Sequence, residues 1–263
     1  MQAVEKFDLG TSDPLKEAIA ARDQDVLSIV GNALAAQNAQ LAFQPIVTAE
    51  ATDRIAFYEG LIRVRDDMGR IIPAKQFMPY IEEHDLGREI DCASLRLGIA
   101  TLSRYPNLRL SINMSARSMA DGKWRRTLDD GLARAPQVAD RLILEISESS
   151  AMLLHEVLIR FMAEMQPLGV SFALDHFGGG MTAFKHLKDF FFDLVKIDRC
   201  FIHNIDQNPE NQVLTEALVA VAKQFEMFAV AEGVENERET AILQELGVHC
   251  LQGYHFGVPR LQL

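Results

Sequence analysis

The chain has 263 residues, 48% of them hydrophobic, with 26 Lys and Arg against 37 Asp and Glu for a formal net charge of −11. That length and apolar content suffice for a full core in one α/β domain, and the acidic balance excludes a broad surface for a nucleic-acid polymer, because such binding is carried by clustered Lys and Arg. Three cysteines without CxxC spacing exclude a disulfide framework or zinc ribbon, no apolar run reaches the ~18 residues of a membrane span, and MQAVEKFDLG lacks the regions of a signal peptide, so a cytoplasmic chain without membrane insertion is expected.

In chain order, residues 1–28 stand apart as an amino-terminal extension. Gly10, Thr11, Ser12, Asp13 and Pro14 mark a turn there, and a helix from Leu15 onward is expected to serve packing or dimer contact. Residues 29–263 form the main domain. Eight apolar runs at 43–47, 55–64, 108–115, 142–149, 170–177, 193–200, 227–234 and 248–256 read as strands, while 15–40, 75–104, 118–134, 150–168, 180–189, 208–226 and 236–246 carry helical periodicity. The last helix has the sharpest local signals, with Asn236 as N-cap, Glu239 three residues on and Gly247 after the final turn. This alternation predicts a parallel sheet with helical crossovers, its strands apolar because both faces are covered. Eight of them favour an α/β fold of the closed (β/α)8, TIM-like barrel type over an open sheet.

Nearly every run ends on an acid, amide or amine: Glu59, Asn113, Glu145, Asp175, Lys196 with Asp198, Glu232 and Gln252. A carboxylate at the end of a buried strand is costly unless something binds it. The repeated polarity therefore predicts one shared site at the strand carboxyl ends. Glu59, Asn113, Glu145, Asp175 and Glu232 offer oxygen ligands suited to Mg²⁺ or Mn²⁺. Lys196 and Asp198, two apart in one strand, are expected to point the same way. Four carboxylates with a lysine suit a two-metal site for displacement at phosphorus. An enolase-like barrel acting on a carbon acid also accommodates Lys196 with several acids, but no second strand-end lysine is present.

The ordered motifs FQPIV, EGL followed by LIRV, SINMSA, LEISES, LDHFGGG, VKID, AEGVE and LQGYHF resemble the EAL domain, the phosphodiesterase domain of bacterial cyclic di-GMP signalling, over about residues 30–260. The resemblance implies an EAL-type barrel. It also implies metal-dependent hydrolysis of cyclic di-GMP to linear pGpG. By the same resemblance Glu59, Asn113, Glu145 and Asp175 surround one metal, and Asp175 with Glu232 helps hold a second. Lys196 orients or deprotonates the attacking water, and Glu148 braces the loop after Asp175. Gln44 and Arg63 contact substrate, a guanidinium suiting a phosphate oxygen, with Gln252 close to the metals. Family members commonly form homodimers through the barrel face near the Asp175 loop, a region to which Glu235 can belong.

Three departures stand out. His176 replaces the second Asp that active members place at the second metal, and imidazole suits Mn²⁺ or Zn²⁺ better than Mg²⁺. Two readings of His176 stay open, a metal or water contact and a hydrogen bond in a degenerate site. Gly179 and Met181 replace the usual Thr and Tyr of the loop. Gly60 stands for the alanine of the EAL signature and is expected to weaken its strand modestly. A catalytically inactive cyclic di-GMP receptor is the main rival function, and a protein-interaction domain that binds neither metal nor nucleotide is a third. His84, His155, His186, His203, His249 and His255 show no ligand spacing and read as surface or packing histidines. Phe190, Phe191 and Phe192 read as core or dimer surface, and Trp124, among Lys123, Arg125 and Arg126, as part of a solvated helix face.

Overall fold

The computed structural model describes residues 14–81, 84–180 and 184–263. Nine strands form one sheet: β1 (Ala39–Thr48), β2 (Ile55–Arg65), β3 (Ile71–Pro73), β4 (Leu110–Asn113), β5 (Leu142–Ser147), β6 (Ser171–Phe177), β7 (Leu194–Ile197), β8 (Phe228–Glu232) and β9 (Cys250–Gln252). Their order is β1-β9-β8-β7-β6-β5-β4-β2, and pairing of β1 with β2 closes the ring. The short β3 lies outside it, antiparallel to β2. The fold is a closed eight-stranded α/β barrel.

From β2 to β9 the remaining ring pairs are parallel. The expected all-parallel sheet is corrected at β1, which runs antiparallel to both β2 and β9. Residues 49–54 between β1 and β2 are too few for a crossover helix, so the chain turns straight back as a hairpin.

The helices are α1 (Pro14–Ala35), α2 (Met78–Ile81), α3 (Asp85–Arg104), α4 (Gly122–Arg134), α5 (Glu148–Leu153), α6 (His155–Met165), α7 (Phe184–Leu187), α8 (Arg199–Ile202), α9 (Pro209–Gln224) and α10 (Glu237–Glu245). The expected turn at residues 10–13 lies outside the described residues. Position 28 falls within α1, whose Val30 and Ala33 are buried in the core. The segment 150–168 breaks at Leu154 into α5 and α6. The N-cap of α10 is as expected: Asn236 Oδ1 accepts from the amides of Arg238 and Glu239. Glu239 does not close a capping box, because its carboxylate accepts from Glu235 N at 2.7 Å and Asn204 N at 2.8 Å.

Most of the core lies between the sheet and its helices. Trp124 belongs to it, 1% exposed and edge-on to Phe161, which corrects its placement on a solvated face. One face of α4 carries the cations outward and the other carries the indole in. A second, smaller cluster fills the barrel interior: Ile46, Phe57, Ile143, Ala173, Leu194 and Val230. Side chains of a strand alternate between faces with period two. Two residues beyond five of these, on the same inward face, stand Glu59, Glu145, Asp175, Lys196 and Glu232. On β1 the step is reversed, Ile46 to Gln44, because that strand runs the other way. An apolar layer thus supports a polar layer at the barrel mouth.

Candidate active site

Lys196 is the centre of the polar layer. It is 1% exposed, and its Nζ lies 2.7 Å from Glu232 Oε1, 2.9 Å from Glu145 Oε2, 3.1 Å from Glu59 Oε2 and 3.6 Å from Asp175 Oδ1. Around it, Asn113 Nδ2 donates to Glu59 Oε1 at 2.7 Å and Gln252 Nε2 to Glu59 Oε2 at 2.6 Å. Gln252 Nε2 also reaches Gln44 Oε1 at 3.3 Å, and Gln44 Nε2 donates to Gly257 O at 3.2 Å. Residues spread over some 200 positions of sequence are thereby joined in one network.

One ammonium does not balance four carboxylates in a buried place. Burial first, then the charge of Glu59, pushes Glu145 up to about 8, with Lys196 opposing. Burial likewise raises Glu232 to about 8, again against Lys196. Glu59 behaves differently. Burial works against its ionisation too, yet Lys196 and the donors Gln252 and Asn113 hold its carboxyl below the ordinary value. Lys196 itself, despite burial, is raised well above its usual range by Asp175, Glu145, Glu232 and Glu59. Glu145 Oε1 is buried without a close donor, Ser111 being its hydroxyl neighbour while reaching the Tyr58 carbonyl at 3.4 Å. The set lacks positive charge and has a free oxygen donor, which fits a hard divalent cation.

Asp175, His176 and Glu232 offer ligand atoms within 4.8 Å of one another. The backbone of His176 is left-handed (φ 57°), a region a histidine enters more readily than most residues. Its Nδ1 lies 3.0 Å from Asp198 Oδ2 and its Nε2 3.5 Å from Asp175 Oδ2. A carboxylate on one ring nitrogen with the other turned to a ligand cluster is how metal-binding histidines are usually oriented. Contrary to the expectation from their spacing, Asp198 is not in one strand with Lys196. β7 ends at Ile197, and Asp198 caps α8 by accepting from Cys200 N at 2.8 Å. Its contact with His176 was legible only after the fold.

Glu148 opens α5, buried, and its Oε2 accepts from Gly178 N at 3.3 Å, tying α5 to the loop after β6. Arg63 lines the open cleft above the polar layer, with Nη1 donating to Ile62 O at 2.9 Å, and burial pulls its guanidinium below the ordinary value against Glu59 and Tyr254. The cleft measures about 660 Å³ and also exposes Gln44, Glu59, Asn113, Asp175, His176 and Glu232. All the expected site residues therefore lie at one barrel mouth. Lys75 and Tyr254 line it as well. Tyr254 lies in the LQGYHF motif but was not singled out, and Lys75 carried no signal because β3 and the turn that brings it in were not anticipated.

A family model described as EAL domain matches residues 28–259. The chain belongs to the EAL domain family. Over 229 residues this EAL domain is 31% identical to the cyclic di-GMP phosphodiesterase PdeB of Shewanella oneidensis, and over 231 residues 30% identical to the cyclic di-GMP phosphodiesterase PdeR of Escherichia coli. These matches cover 84% and 86% of the chain but only 26% and 35% of the relatives' length. Among solved structures it is similar to the PaMucR phosphodiesterase in complex with c-di-GMP (TM-score 0.78, 27% identity, covering 90% of this chain and 97% of that one). The FimX EAL domain of Pseudomonas aeruginosa bound to c-di-GMP is similar at TM-score 0.82 and 25% identity, with the same coverages.

In this EAL domain the glycine of the signature has a local reason. A Cβ on Gly60 would stand 2.7 Å from Ile112 Cδ1, and one on Gly98 2.8 Å from Ile112 Cγ1. Ile112 Cδ1 occupies the space an alanine methyl would take, so an alanine at 60 would require Ile112 to shift.

Proposed function

We propose that this EAL domain hydrolyses one phosphodiester of cyclic di-GMP to linear pGpG, and the observation that carries the proposal is the buried set of four carboxylates around Lys196 with too little positive charge. Glu59, Asn113, Glu145 and Asp175 would hold one Mg²⁺ or Mn²⁺, and Asp175, Glu232 and His176 a second. Such ions supply an acidified water and neutralise charge developing at phosphorus. The chain's own groups do the rest. Lys196, held as an ammonium well above its usual range, is suited to orient the attacking water as a donor and not to deprotonate it. Glu232, raised to about 8 by burial in the metal-free chain, would be ionised by a cation bound beside it, which suits it to hold the second metal. Glu148 steadies the loop that follows the Asp175 strand. Arg63 and Gln44 face the cleft for phosphate and polar contacts, Lys75 adds a cation, and the 69%-exposed Tyr254 offers a ring on which a base can stack.

The second reading, a receptor that binds cyclic di-GMP without turnover, is favoured by one observation: an imidazole, not a carboxylate, stands at 176 with its Nδ1 on Asp198. Purified protein incubated with cyclic di-GMP and either Mg²⁺ or Mn²⁺, with the linear dinucleotide followed, separates the two. Tight binding with no product under either metal rejects hydrolysis. His176→Asp is expected to raise turnover in Mg²⁺ more than in Mn²⁺; an equal response in both metals removes His176 as the weak point. Homodimerisation and a cytoplasmic setting belong to the same proposal. No helix among the described residues is long and apolar enough to cross a membrane.

A further inference from the structure

We propose a second metal site, independent of the barrel mouth, formed by His155, His186 and Asp189 and suited to Zn²⁺. His155 is the first residue of α6, and His186 lies in α7. The amide of Asp189 donates to His186 O at 3.0 Å, a turn that brings these two side chains together. Spacing along the chain conceals the group, whose two histidines read from sequence as surface or packing residues and meet in the fold. The rings of His155 and His186 lie 4.7 Å apart, tilted at 60° rather than stacked.

The distances separate a metal site from a hydrogen-bonded cluster. His155 Nε2 is 3.5 Å from Asp189 Oδ2, and His186 Nδ1 is 3.9 Å from the same oxygen. Both exceed the ~2.7–3.2 Å of an N–H···O hydrogen bond. A tetrahedral ion with bonds of about 2.0–2.1 Å sets its ligand atoms about 3.3–3.4 Å apart, close to the 3.5 Å between His155 Nε2 and Asp189 Oδ2. One atom of each of the three lies within 4.8 Å of the others.

His155 Nε2 is buried and has no hydrogen-bond partner. Leaving a polar atom so buried is costly unless something binds it, and the ring is fixed there by its edge-on contact with Phe190 at 4.7 Å. Two imidazoles and one carboxylate form the ligand set of open zinc sites and suit Mg²⁺ poorly. The side chains of His186 and Asp189 are 36% and 40% exposed, so the fourth position faces water. An ion here would tie α6 to α7, the helices on either side of β6, whose end carries Asp175 and His176.

The test counts metal on the full chain, first stripped with chelator and then given excess Mg²⁺, with Zn²⁺ and separately Co²⁺ titrated in. Wild type is expected to hold one more tight Zn²⁺ equivalent than His186→Gln or Asp189→Asn, and to show the intense visible absorption of four-coordinate cobalt that both variants lose. Glu145→Gln, at the barrel mouth, is expected to keep that absorption. Circular dichroism of each metal-free variant establishes folding, and if His186→Gln misfolds, Asp189→Asn and the wild-type cobalt spectrum still decide. Equal zinc counts in wild type and both variants, or a cobalt band lost with Glu145→Gln alone, overturn the proposal. None of these outcomes depends on cyclic di-GMP turnover.

Discussion

On β5 the inward side chains are Ile143 and then Glu145; on β8 they are Val230 and then Glu232. The same alternation on the same strands builds an apolar plug below and a charged ring above. The lower layer is satisfied by its own packing. The upper layer is satisfied only in part: Lys196 contacts every acid, two acids are still pushed to about 8, and Glu145 Oε1 has no close donor. A packed apolar layer below supports an incompletely balanced set above, as expected of a site that binds a ligand.

Removing Lys196 breaks this comparison most severely. Lys196→Ala is expected to abolish turnover while leaving nucleotide affinity within about tenfold, or ~1.4 kcal/mol, and to destabilise the metal-free chain by about 3–5 kcal/mol because buried acids lose their counter-charge. Calorimetric binding, a product assay and denaturant melts check the three parts; a matching collapse of affinity would instead give Lys196 a binding role. In the lower layer, Ile143→Ala should cost about 2–5 kcal/mol by leaving a cavity, yet turnover per folded molecule should persist, which melts and kinetics on the same preparation measure.

Gly60→Ala tests the seam between the layers and the surrounding core. Overpacking against Ile112 should cost about 1–3 kcal/mol, and adding Ile112→Val, which removes Cδ1, should restore part of it. An unchanged melting point for the single variant would refute the packing argument.

The remaining effect is in pH. Glu145 and Glu232 titrate near 8 in the folded chain against 4.5 ordinarily, so the folded state holds more protons than the unfolded one between those values, and stability falls as pH rises. Glu59, held low, acts only at lower pH. Lys196, held high, contributes evenly until alkaline pH. His249, pulled down by burial, acts in the opposite sense below about 6.5, the ordinary histidine value. The metal-free melting temperature should therefore decline from pH 6.5 to 8, and Mn²⁺ should reduce the slope. A flat metal-free profile would show that the two acids ionise freely.

Much of this was legible in the order of residues. Period-two alternation and polar strand ends were enough to place Glu59, Asn113, Glu145, Asp175, Lys196, Glu232 and Gln252 in one ring, since a barrel directs all its parallel strands to the same mouth. Strand direction at β1 was not legible, because an apolar run reads alike in both senses, and only the short 49–54 connection reverses it. Trp124 was misplaced because a basic neighbourhood in sequence says nothing about which helix face turns inward.

By itself the sequence determined the barrel, the family and the composition of the charged ring, for these follow from local periodicity and ordered motifs. Tertiary structure alone decided that Asp198 leaves its strand to hold His176, that Ile112 packs against glycine at position 60, and that His155 meets His186 and Asp189. Each of those depends on which distant surfaces are packed together, and distance along the chain does not encode that.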